Sequence, residues 1–563
     1  MYSNDYIVDI LEHTAALSEL HSADEFKIRS YNSLAFGIDK YAVQLKDLSE
    51  ADMAALPGLG KSNLQKVQEI LNTGTLQYLE ELRTSTPIGV QDMLQIKGLG
   101  PKKVKYLWQE AKVESLAVLL DMCHKNELIK HKGFGLKVQD SIKAAIEFYQ
   151  SSEGGLLWAK AEQIVQKILP QLHQYFGENN VQVTGTYRRQ CEIVFYLSFA
   201  VIADVEKIKA SLAEDKNWFA KHILHDTNLY YNYGDVEVVL YACTPQNFVE
   251  RIIATTGSVD FEKALSTLPN GKLAMELGKS EAEVFEKLNL EFVHPAMREN
   301  AAIVELAANK KLPKLIQPAD IRGVIHNHST YSDGAASLRA MAEACIQRGY
   351  EYFVISDHSQ YASYANGLSE ERIMAQHQEI DALNKELAPF KIFKSIECDI
   401  LPDGQLDYDD EVLGTFDVVV ASIHAVLNMD EEKATARMIS AIENPHTSIL
   451  GHMTGRLLLQ REGYPLDMKK VIDACAANDV AIELNASPKR LDIDWRWIHY
   501  ALEKEILISI NPDAHSTQGI DDIRYGVLAA QKAGLTASQC LSAFNLASFE
   551  DWISAQVDKR GYY

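Results

Sequence analysis

The sequence lacks any apolar run of about 18 residues, the length that a membrane-spanning helix needs. Its first 20 residues carry acidic side chains where a secretory signal would have a basic head and an apolar core. Proline and glycine, with 15 and 30 positions among 563, are too sparse for a collagenous or low-complexity chain. We therefore expect a folded protein that neither spans a membrane nor carries a secretion signal.

Cysteine is also scarce, and its positions are widely scattered. None of the seven cysteines belongs to a Cys-x-x-Cys pair. This spacing argues against a disulfide framework and a zinc ribbon, and it makes a reducing cytoplasm the expected location. The seven positions are Cys123, Cys191, Cys243, Cys345, Cys398, Cys475 and Cys540.

Net positive charge is absent as well. The chain has 55 basic and 78 acidic residues, for a formal charge of −23, which argues against indiscriminate nucleic-acid binding by the whole surface. Residues 97–137 are different, because nine basic residues there face only four acidic ones. A local cationic patch is therefore expected within an acidic protein.

The length and the order of sequence patterns predict several domains, at about 150 residues each. Residues 1–150 show helical periodicity broken by Gly-x-Gly turns, and residues 151–310 mix helices with strands. A proline-containing linker at 311–320 follows. In residues 321–563 short apolar strands alternate with helices, which is typical of a parallel sheet or barrel.

A Gly-x-Gly turn occurs three times in the first region, each time between a short helix and a second helix. The glycines permit a tight turn, and the backbone N–H groups at the start of the second helix can bind phosphate. One copy would equally suit a plain helical turn, but three copies favour DNA contact. The residues predicted to contact DNA are Gly58, Gly60, Lys61, Gly98, Gly100, Lys102, Lys103, Gly133, Gly135 and Lys137. The pattern resembles the helix-hairpin-helix motif, which holds DNA phosphates without reading sequence.

Polar side chains able to bind a metal follow seven successive apolar strands in residues 321–563. The C-terminal ends of strands in a parallel β/α barrel meet on one face, where active sites are built. A single histidine after a strand is more often a core or surface residue than a ligand, but a repeat on every turn favours a metal centre. The strands end near His326 and His328, Asp357 and His358, Glu397, His424, His452, Glu483, and Asp513 and His515.

Imidazole and carboxylate ligands without thiolate indicate zinc, manganese or iron. Cys398 follows Glu397, but successive strand side chains face opposite ways, so we expect Cys398 to point away. Six histidines, two aspartates and one glutamate make nine candidate ligands. This is too many for one ion and suits two or three, with Glu397 available as a bridge. Metals about 3.5–4 Å apart activate water and stabilise a phosphate displacement. Phosphoester hydrolysis is therefore the expected chemistry.

These residues resemble the PHP (polymerase and histidinol phosphatase) domain, with all nine usual ligand positions filled. The resemblance implies a (β/α)7 barrel related to the TIM barrel, with Glu397, Asp513 and His424 in catalytic roles. It assigns one metal to His326, His328, Glu397 and Asp513, a second to Glu397, His424 and His452, and a third to Asp333, His358 and His515. Arg456 and Lys489, near strand ends, are predicted to meet substrate phosphates, although a solvated loop charge explains each equally well.

The order of the three regions is similar to that of bacterial family X DNA polymerases. The run from Gly185 to Arg189 resembles that family's nucleotide-phosphate turn, and Gly257-Ser258 resembles a later sugar-contacting turn. This implies a nucleotidyltransferase-like middle domain. The family's two aspartates, which hold magnesium from one strand face, are replaced here by Tyr196 and Ser198. We expect a vestigial nucleotide site without polymerase activity, unless this register is misread.

Lys66 aligns with the lysine that animal repair members of that family use for Schiff-base chemistry on abasic sugars. Such a lysine must be partly desolvated to lose its proton near neutral pH. The sequence favours the simpler interpretation, a helix lysine that contacts DNA.

The combined interpretation is a DNA-repair phosphodiesterase with two or three divalent metals, acting as a 3′→5′ exonuclease and at abasic sites. Its expected partner is DNA, bound without sequence preference at gaps or single-stranded ends. Two alternatives stay open: a small-molecule phosphatase of the histidinol-phosphate type, and a non-catalytic DNA scaffold. The sequence leaves the oligomeric state undetermined.

Overall fold

The computed structural model describes residues 2, 4–39, 41, 43–96, 98–225 and 227–561. The chain divides into two compact units, residues 1–153 and residues 154–563. Among the described residues, no helix has both the length and the apolar character needed to cross a bilayer.

The regular secondary structure in the described part of the first unit is entirely helical. Its helices are α1 (Asn4–Leu20), α2 (Glu25–Asp39), α3 (Glu50–Ala54), α4 (Lys61–Thr73), α5 (Gln77–Ser85), α6 (Ile88–Met93), α7 (Pro101–Gln109), α8 (Leu116–His124) and α9 (Leu136–Ser152). Leucine, isoleucine and valine side chains at helical spacing, such as Leu64, Val67 and Ile70 of α4, form its core.

The three Gly-x-Gly turns introduce α4, α7 and α9. In each turn the first glycine has a left-handed backbone, with φ of +86° at Gly58, +88° at Gly98 and +92° at Gly133. Side chains with a Cβ rarely adopt this conformation, which explains the glycine. The second glycine is the residue immediately before the helix. The first turn of each helix therefore has backbone N–H groups without intrahelical partners, although Pro101, the first residue of α7, has no N–H group.

The second unit begins with a mixed α/β domain. Its strands are β1 (Leu156–Leu157), β2 (Val181–Thr184), β3 (Ile193–Val194), β4 (Leu197–Ile202), β5 (Trp218–His225), β6 (Asn228–Tyr233) and β7 (Val236–Cys243). Its helices are α10 (Trp158–Phe176), α11 (Gly185–Arg188), α12 (Val205–Leu212), α13 (Phe248–Thr256), α14 (Val259–Thr267), α15 (Gly271–Leu277), α16 (Glu281–Lys287) and α17 (Ala302–Ala308). The main sheet has the order β2-β4-β7-β6-β5, with β4 and β7 parallel.

A barrel follows in the same unit. Its strands are β8 (Gly323–Val324), β9 (Tyr352–Ile355), β10 (Lys391–Asp399), β11 (Val418–Ser422), β12 (Ile449–Leu450), β13 (Ala481–Asn485) and β14 (Ile508–Asn511). Its helices are α18 (Leu338–Gln347), α19 (Glu370–Glu386), α20 (Asp410–Leu413), α21 (Glu431–Ile442), α22 (Met468–Ala477), α23 (Trp495–Glu503), α24 (Ile523–Lys532) and α25 (Leu546–Lys559).

The barrel strands are parallel and lie side by side in chain order. A parallel bridge between Asn327 and Ala514 links the segment after β8 to the segment after β14. The ring is thereby nearly closed, and the C-terminal ends of its strands face a common space. The expected fold class, with a helical first region, a mixed middle and a (β/α)7 barrel, is confirmed.

Ion pairs join the mixed domain to the barrel. Carboxylates of the mixed domain meet cations of the barrel, which is an electrostatically complementary arrangement. The three pairs are Glu162 with Arg524, Glu192 with Arg496, and Glu299 with Lys532. The region predicted as a linker also packs on the barrel, because Ile316 is fully buried and its backbone hydrogen-bonds Leu535 and Gln531.

Candidate metal centre

The nine predicted ligands converge at the C-terminal ends of the barrel strands. Seven side chains are almost fully buried, whereas those of Asp333 and His515 are 34% and 41% exposed and mark the open side. His326 and Asp513 have left-handed backbones, with φ of +60° and +53°. Such strained non-glycine residues concentrate at functional sites.

Glu397 lies at the centre of this cluster and is 1% exposed. Its Oε1 lies 2.9 Å from His452 Nε2 and 3.1 Å from His424 Nε2. Its two oxygens also lie 2.9–3.6 Å from ring nitrogens of His326, His328 and His358. One carboxylate is therefore shared by five imidazoles from four different segments, as a bridging ligand would be.

Three groups of ligand atoms are each compact enough to hold an ion. They are His326, His328 and Asp513; His358, Glu397 and His424; and His328, Asp333, His358 and His515. Within each group the ligand atoms lie within 4.8 Å of one another. These groups overlap with the predicted ligand sets without matching them one to one, and His452, which belongs to none of the three, lies 2.9 Å from Glu397 Oε1. The assignment of ligands to individual metals stays a prediction.

Several of these atoms suit a cation better than a hydrogen bond. His358 Nδ1 and Glu397 Oε2 lie 2.9 Å apart, yet among the described residues neither has a hydrogen-bond partner at an acceptable angle. The same holds for the buried His326 Nε2 and His328 Nδ1. Buried polar atoms are nearly always paired, so lone pairs that converge without partners fit a divalent metal. Zinc, manganese and iron suit such a set of imidazoles and carboxylates.

The electrostatics of the cluster favour anionic carboxylates. Burial alone would raise the pKa of Asp333, but hydrogen bonding and charge from His515 lower this pKa to about 2. Burial would also raise the pKa values of Glu397 and Asp513, and neighbouring histidines hold both well below the usual range. Burial, with His515 and His358 nearby, lowers the pKa of His328 to about 3. The site thus offers anionic oxygens and an uncharged imidazole to a cation.

Acidic and amide side chains form a layer around the ligands. The sequence did not reveal that these residues would support the ligands and the turn that carries them. Glu483 Oε2 lies 2.6 Å from His326 Nδ1, and Asp399 Oδ1 lies 3.2 Å from His424 Nδ1. Such partners fix the orientation of a ligating imidazole. The signal was present, since Asp399 stands two residues after Glu397 on the same strand face. Asp357, another buried acid, accepts hydrogen bonds from Ser329, Ser332 and Gln376 and holds the turn after β8.

The predicted phosphate contacts occupy different environments. Lys489 is exposed, on the loop after β13. The guanidinium of Arg456 is committed within the protein, to the backbone oxygens of Arg490 and Leu491 and to Asp494. Arg490, which the sequence did not single out, has its Nε 4.0 Å from Asp513 Oδ2. It is the arginine placed beside the metal ligands.

An exposed aromatic ring also lies beside the ligands. Tyr364 is 71% exposed, and its ring centroid lies 6.3 Å from that of His358. Cys398, by contrast, belongs to the apolar core around the strands and not to the ligand cluster. The expectation that it points away from the site agrees with this position.

In the first unit the predicted DNA-contacting lysines lie near the three turns. Lys61, Lys102 and Lys137 are exposed in the first turns of their helices. Lys103 instead donates a hydrogen bond of 2.9 Å to the carbonyl of Gly98. Among the described residues, at least one exposed lysine therefore lies beside each of the three helix N-termini.

Comparison with known proteins agrees with this architecture. Residues 3–76 match a helix-hairpin-helix domain, residues 90–147 a SAM-like helix-hairpin-helix tandem, and residues 325–487 a PHP domain. The DNA polymerase/3′-5′ exonuclease PolX of Bacillus subtilis (strain 168) is 33% identical over 572 residues, covering 98% of this chain and 99% of that protein. The chain belongs to the bacterial PolX family. The resemblance inferred from the sequence is confirmed.

Shorter relatives share part of the chain. A probable phosphatase of Thermoanaerobacter sp. (strain X514) is 25% identical over 247 residues, which are 42% of this chain and 96% of that protein. A probable phosphatase of Acetivibrio thermocellus is 29% identical over 167 residues, 28% of this chain and 63% of that protein.

In this PolX chain, residues at and near the positions predicted to have lost the two aspartates have partners inside the mixed domain. Ser198 is buried, and its hydroxyl lies 2.9 Å from that of Thr184. Its parallel neighbour on β7 is Val239. Glu237, an acid on β7, is ion-paired with Lys221 at 2.7 Å.

The residues predicted as a vestigial nucleotide site are likewise engaged inside the domain. Arg189 contacts Glu299 at 3.1 Å and the carbonyl of Thr256. Ser258 donates a hydrogen bond to the carbonyl of Glu299. Gly185 approaches Ser198 so closely that an added Cβ would lie 2.6 Å from its hydroxyl oxygen. Gly257 lies against Arg189 in the same way, at 3.2 Å.

Lys66 is half-buried and is not a freely solvated lysine. Its Nζ lies 3.3 Å from Ser30 Oγ and 4.5 Å from the centre of the Tyr31 ring. Burial lowers the pKa of Lys66, and the charge of Lys27 lowers it further. Partial desolvation is one condition for a Schiff-base lysine, and both lyase chemistry and DNA contact by Lys66 stay untested.

We predict that Glu483→Gln weakens divalent metal binding about 10- to 100-fold, as loss of an outer partner does elsewhere. Glu483 contacts His326, accepts from the backbone N–H of His452 at 3.0 Å, and accepts from Asn511 at 2.7 Å. Calorimetric titration with Mn²⁺ would measure the change. Glu462→Gln, which alters an exposed carboxylate, serves as the control. Equal affinities for Glu483→Gln and wild type would contradict the prediction.

Proposed function

We propose that this chain is a metal-dependent phosphodiesterase that degrades DNA strands in the 3′→5′ direction during DNA repair, and that it does not polymerise DNA. The observation that carries the proposal is the cluster of six imidazoles and three carboxylates around Glu397. Cleavage at abasic sites is a second reaction that the same centre would support.

Bound divalent ions would supply Lewis acidity and a nucleophilic water, the usual contribution of paired metals to phosphate displacement. Glu397, Asp513 and His424 are the ligands we assign to the reacting centre, and the remaining six complete the set. Glu483 and Asp399 hold the imidazoles of His326 and His424 in orientation. Arg490 and Lys489 would donate hydrogen bonds to phosphate oxygens of the substrate. Arginine suits this role because its planar guanidinium pairs with phosphate in a bidentate manner.

DNA is favoured over a small phosphoester by two features of this chain. Three helix N-termini with adjacent exposed lysines suit the phosphate backbone without reading sequence. The exposed ring of Tyr364 beside the ligands would stack on a nucleobase of the substrate, an interaction that tolerates any base. Single-stranded ends or gaps are therefore the expected targets.

A small-molecule phosphatase is the second candidate, favoured by the shorter relatives described as probable phosphatases. The ligand cluster alone would suit either substrate. The two candidates differ in whether the helical unit and Tyr364 contribute to turnover.

We predict that Glu397→Ala abolishes hydrolysis of a 5′-labelled single-stranded oligonucleotide in Mn²⁺, because the change removes a ligand shared between metals. Gel analysis of the labelled products would measure rate and polarity, with Glu462→Ala as the matched control. Activity that persists in Glu397→Ala after chelation would refute the metal-centre assignment. Wild-type protein that hydrolyses histidinol phosphate but not the oligonucleotide would establish the second candidate instead.

We predict that replacing Lys61, Lys102 and Lys137 together by alanine weakens DNA binding uniformly across sequences. Each lost phosphate contact should reduce the slope of log affinity against log salt by about 1. Fluorescence anisotropy over a salt series would measure this. A triple substitution of the exposed barrel lysines Lys433, Lys469 and Lys470 is the control. Identical salt slopes for the two triple variants would count against DNA contact by the hairpins.

We predict that the chain does not extend a DNA primer. Two-metal catalysis needs a carboxylate pair, and its positions carry Tyr196, which is 37% exposed, and the buried Ser198. Primer extension should be run on a Glu397→Ala background, with Mg²⁺ and with Mn²⁺, and a DNA polymerase added separately should show that the template is competent. Template-directed addition by the variant itself would show an active polymerase.

A further inference from the structure

The loop that follows β13, residues 486–494, carries an arginine that lies beside the predicted metal ligands. Arg490 is 20% exposed, and its Nε lies 4.0 Å from Asp513 Oδ2. An arginine that is mostly covered but open at one side of a ligand cluster is suited to a substrate phosphate. Its position depends on a backbone that has no regular secondary structure between β13 and α23.

Arg456 holds this loop in place. Its Nε donates a hydrogen bond of 2.9 Å to the carbonyl of Arg490, and a second nitrogen donates to the carbonyl of Leu491. Its third nitrogen lies 2.5 Å from Asp494 Oδ2. One guanidinium thus binds the carbonyls of two successive loop residues, Arg490 and Leu491. The same guanidinium is paired with Asp494.

Asp494 connects the loop to the mixed domain. Arg496 contacts Asp494 at 2.9 Å and contacts Glu192 of the mixed domain at 2.7 Å. Trp495 Nε1 donates to the same Glu192 carboxylate at 3.2 Å. The Trp495 ring lies between Arg496 and Lys532, at 4.7 Å and 4.8 Å from the two cations.

Glu192 itself is firmly placed. It is 9% exposed, and its carbonyl accepts a 3.1 Å hydrogen bond from the backbone N–H of Trp158, the first residue of α10. A buried carboxylate with two hydrogen-bonded partners resists displacement, because unpairing it would leave a desolvated charge. An unbroken chain of contacts therefore runs from the mixed domain to the arginine beside the metal ligands.

We propose that Glu192 is a positioning residue for the phosphodiesterase site, acting through Arg496, Asp494 and Arg456 to hold Arg490 where it binds the substrate phosphate. The mixed domain then serves hydrolysis in the barrel by fixing one of its loops. This inference rests on the proposed function, because it needs a phosphate substrate at the barrel.

A second ion pair between the mixed domain and the barrel provides a control. It distinguishes a role of Glu192 in positioning Arg490 from a role in domain packing alone. Glu162 and Arg524 have side chains 12% and 41% exposed, compared with 11% and 56% for Glu192 and Arg496. Within the described residues, neither Glu162 nor Arg524 makes a hydrogen bond to the 486–494 loop. Glu162→Gln is therefore a matched control for Glu192→Gln.

The test measures kcat and KM for oligonucleotide hydrolysis in Mn²⁺ by the full-length chain. Arg490→Ala should lower kcat/KM about 10- to 100-fold, the value of a charge-assisted hydrogen bond. Glu192→Gln should also lower kcat/KM. The double variant, with Glu192→Gln and Arg490→Ala, should lose no more than Arg490→Ala alone, because both changes remove the same contact between Arg490 and the substrate phosphate. Glu162→Gln should stay within about twofold of wild type.

A second readout does not depend on turnover. Hydrogen exchange of residues 486–494 should quicken in Glu192→Gln and in Arg496→Ala, and should be unchanged in Glu162→Gln. Arg496→Ala alters a largely exposed side chain, so it serves if Glu192→Gln fails to fold.

Distinct outcomes would overturn the inference. Three results would each refute positioning through Arg490. They are wild-type kcat/KM in Glu192→Gln, equal losses of kcat/KM in Glu192→Gln and Glu162→Gln, and multiplicative losses in the double variant. Wild-type protein that is inactive on the oligonucleotide would overturn the proposed function and the inference with it. An active wild type with an unaffected Glu192→Gln would overturn the inference alone.

Discussion

The burial of one carboxylate, Glu397, is the constraint on which the site depends. A buried carboxylate costs several kcal/mol unless charges and hydrogen bonds compensate, and Glu397 is 1% exposed. Five imidazoles surround it, and Glu483 and Asp399 in turn contact two of those rings. Only a nearly closed parallel barrel brings so many strand ends to one carboxylate, so the architecture and the charge balance of the site are linked.

Buried ion pairs tie the mixed domain to the barrel. Arg189 pairs with Glu299, and Glu299 pairs with Lys532 of the barrel at 2.5 Å. The Lys532 side chain is 1% exposed. Removing one partner of an ion pair this buried strongly destabilises a fold, because the other charge is left without compensation, so these residues have a structural role whatever chemistry the mixed domain performs.

Charge is distributed differently in the two units. The helical unit exposes lysines beside free helix N-termini, whereas the second unit uses many of its cations internally, in pairs such as Arg298 with Glu281. Arg298 is fully buried and donates to Glu281 and to the carbonyl of Val293. The net charge of −23 therefore coexists with local cationic sites suited to phosphate.

The sequence by itself determined the elements that depend on local chemistry. The Gly-x-Gly repeats specified three helix starts because glycine adopts the left-handed turn at Gly58, Gly98 and Gly133 without steric cost. The regular spacing of apolar strands and polar strand ends determined the barrel, and residue type at those ends determined the ligand candidates. The prediction that Tyr196 and Ser198 replace two aspartates rests on residue type in the same way.

What only the tertiary structure decided are the relations between distant segments. Spacing along the chain does not reveal which of Arg456 and Arg490 faces the ligands, because the direction of a loop side chain follows from its packing. The distances from Glu397 to His358, His424 and His452 likewise follow only from the folded barrel, since nearness between strand ends depends on its tilt and closure. The contact of Glu192 with Arg496 joins residues 304 positions apart, and only the folded chain brings them together.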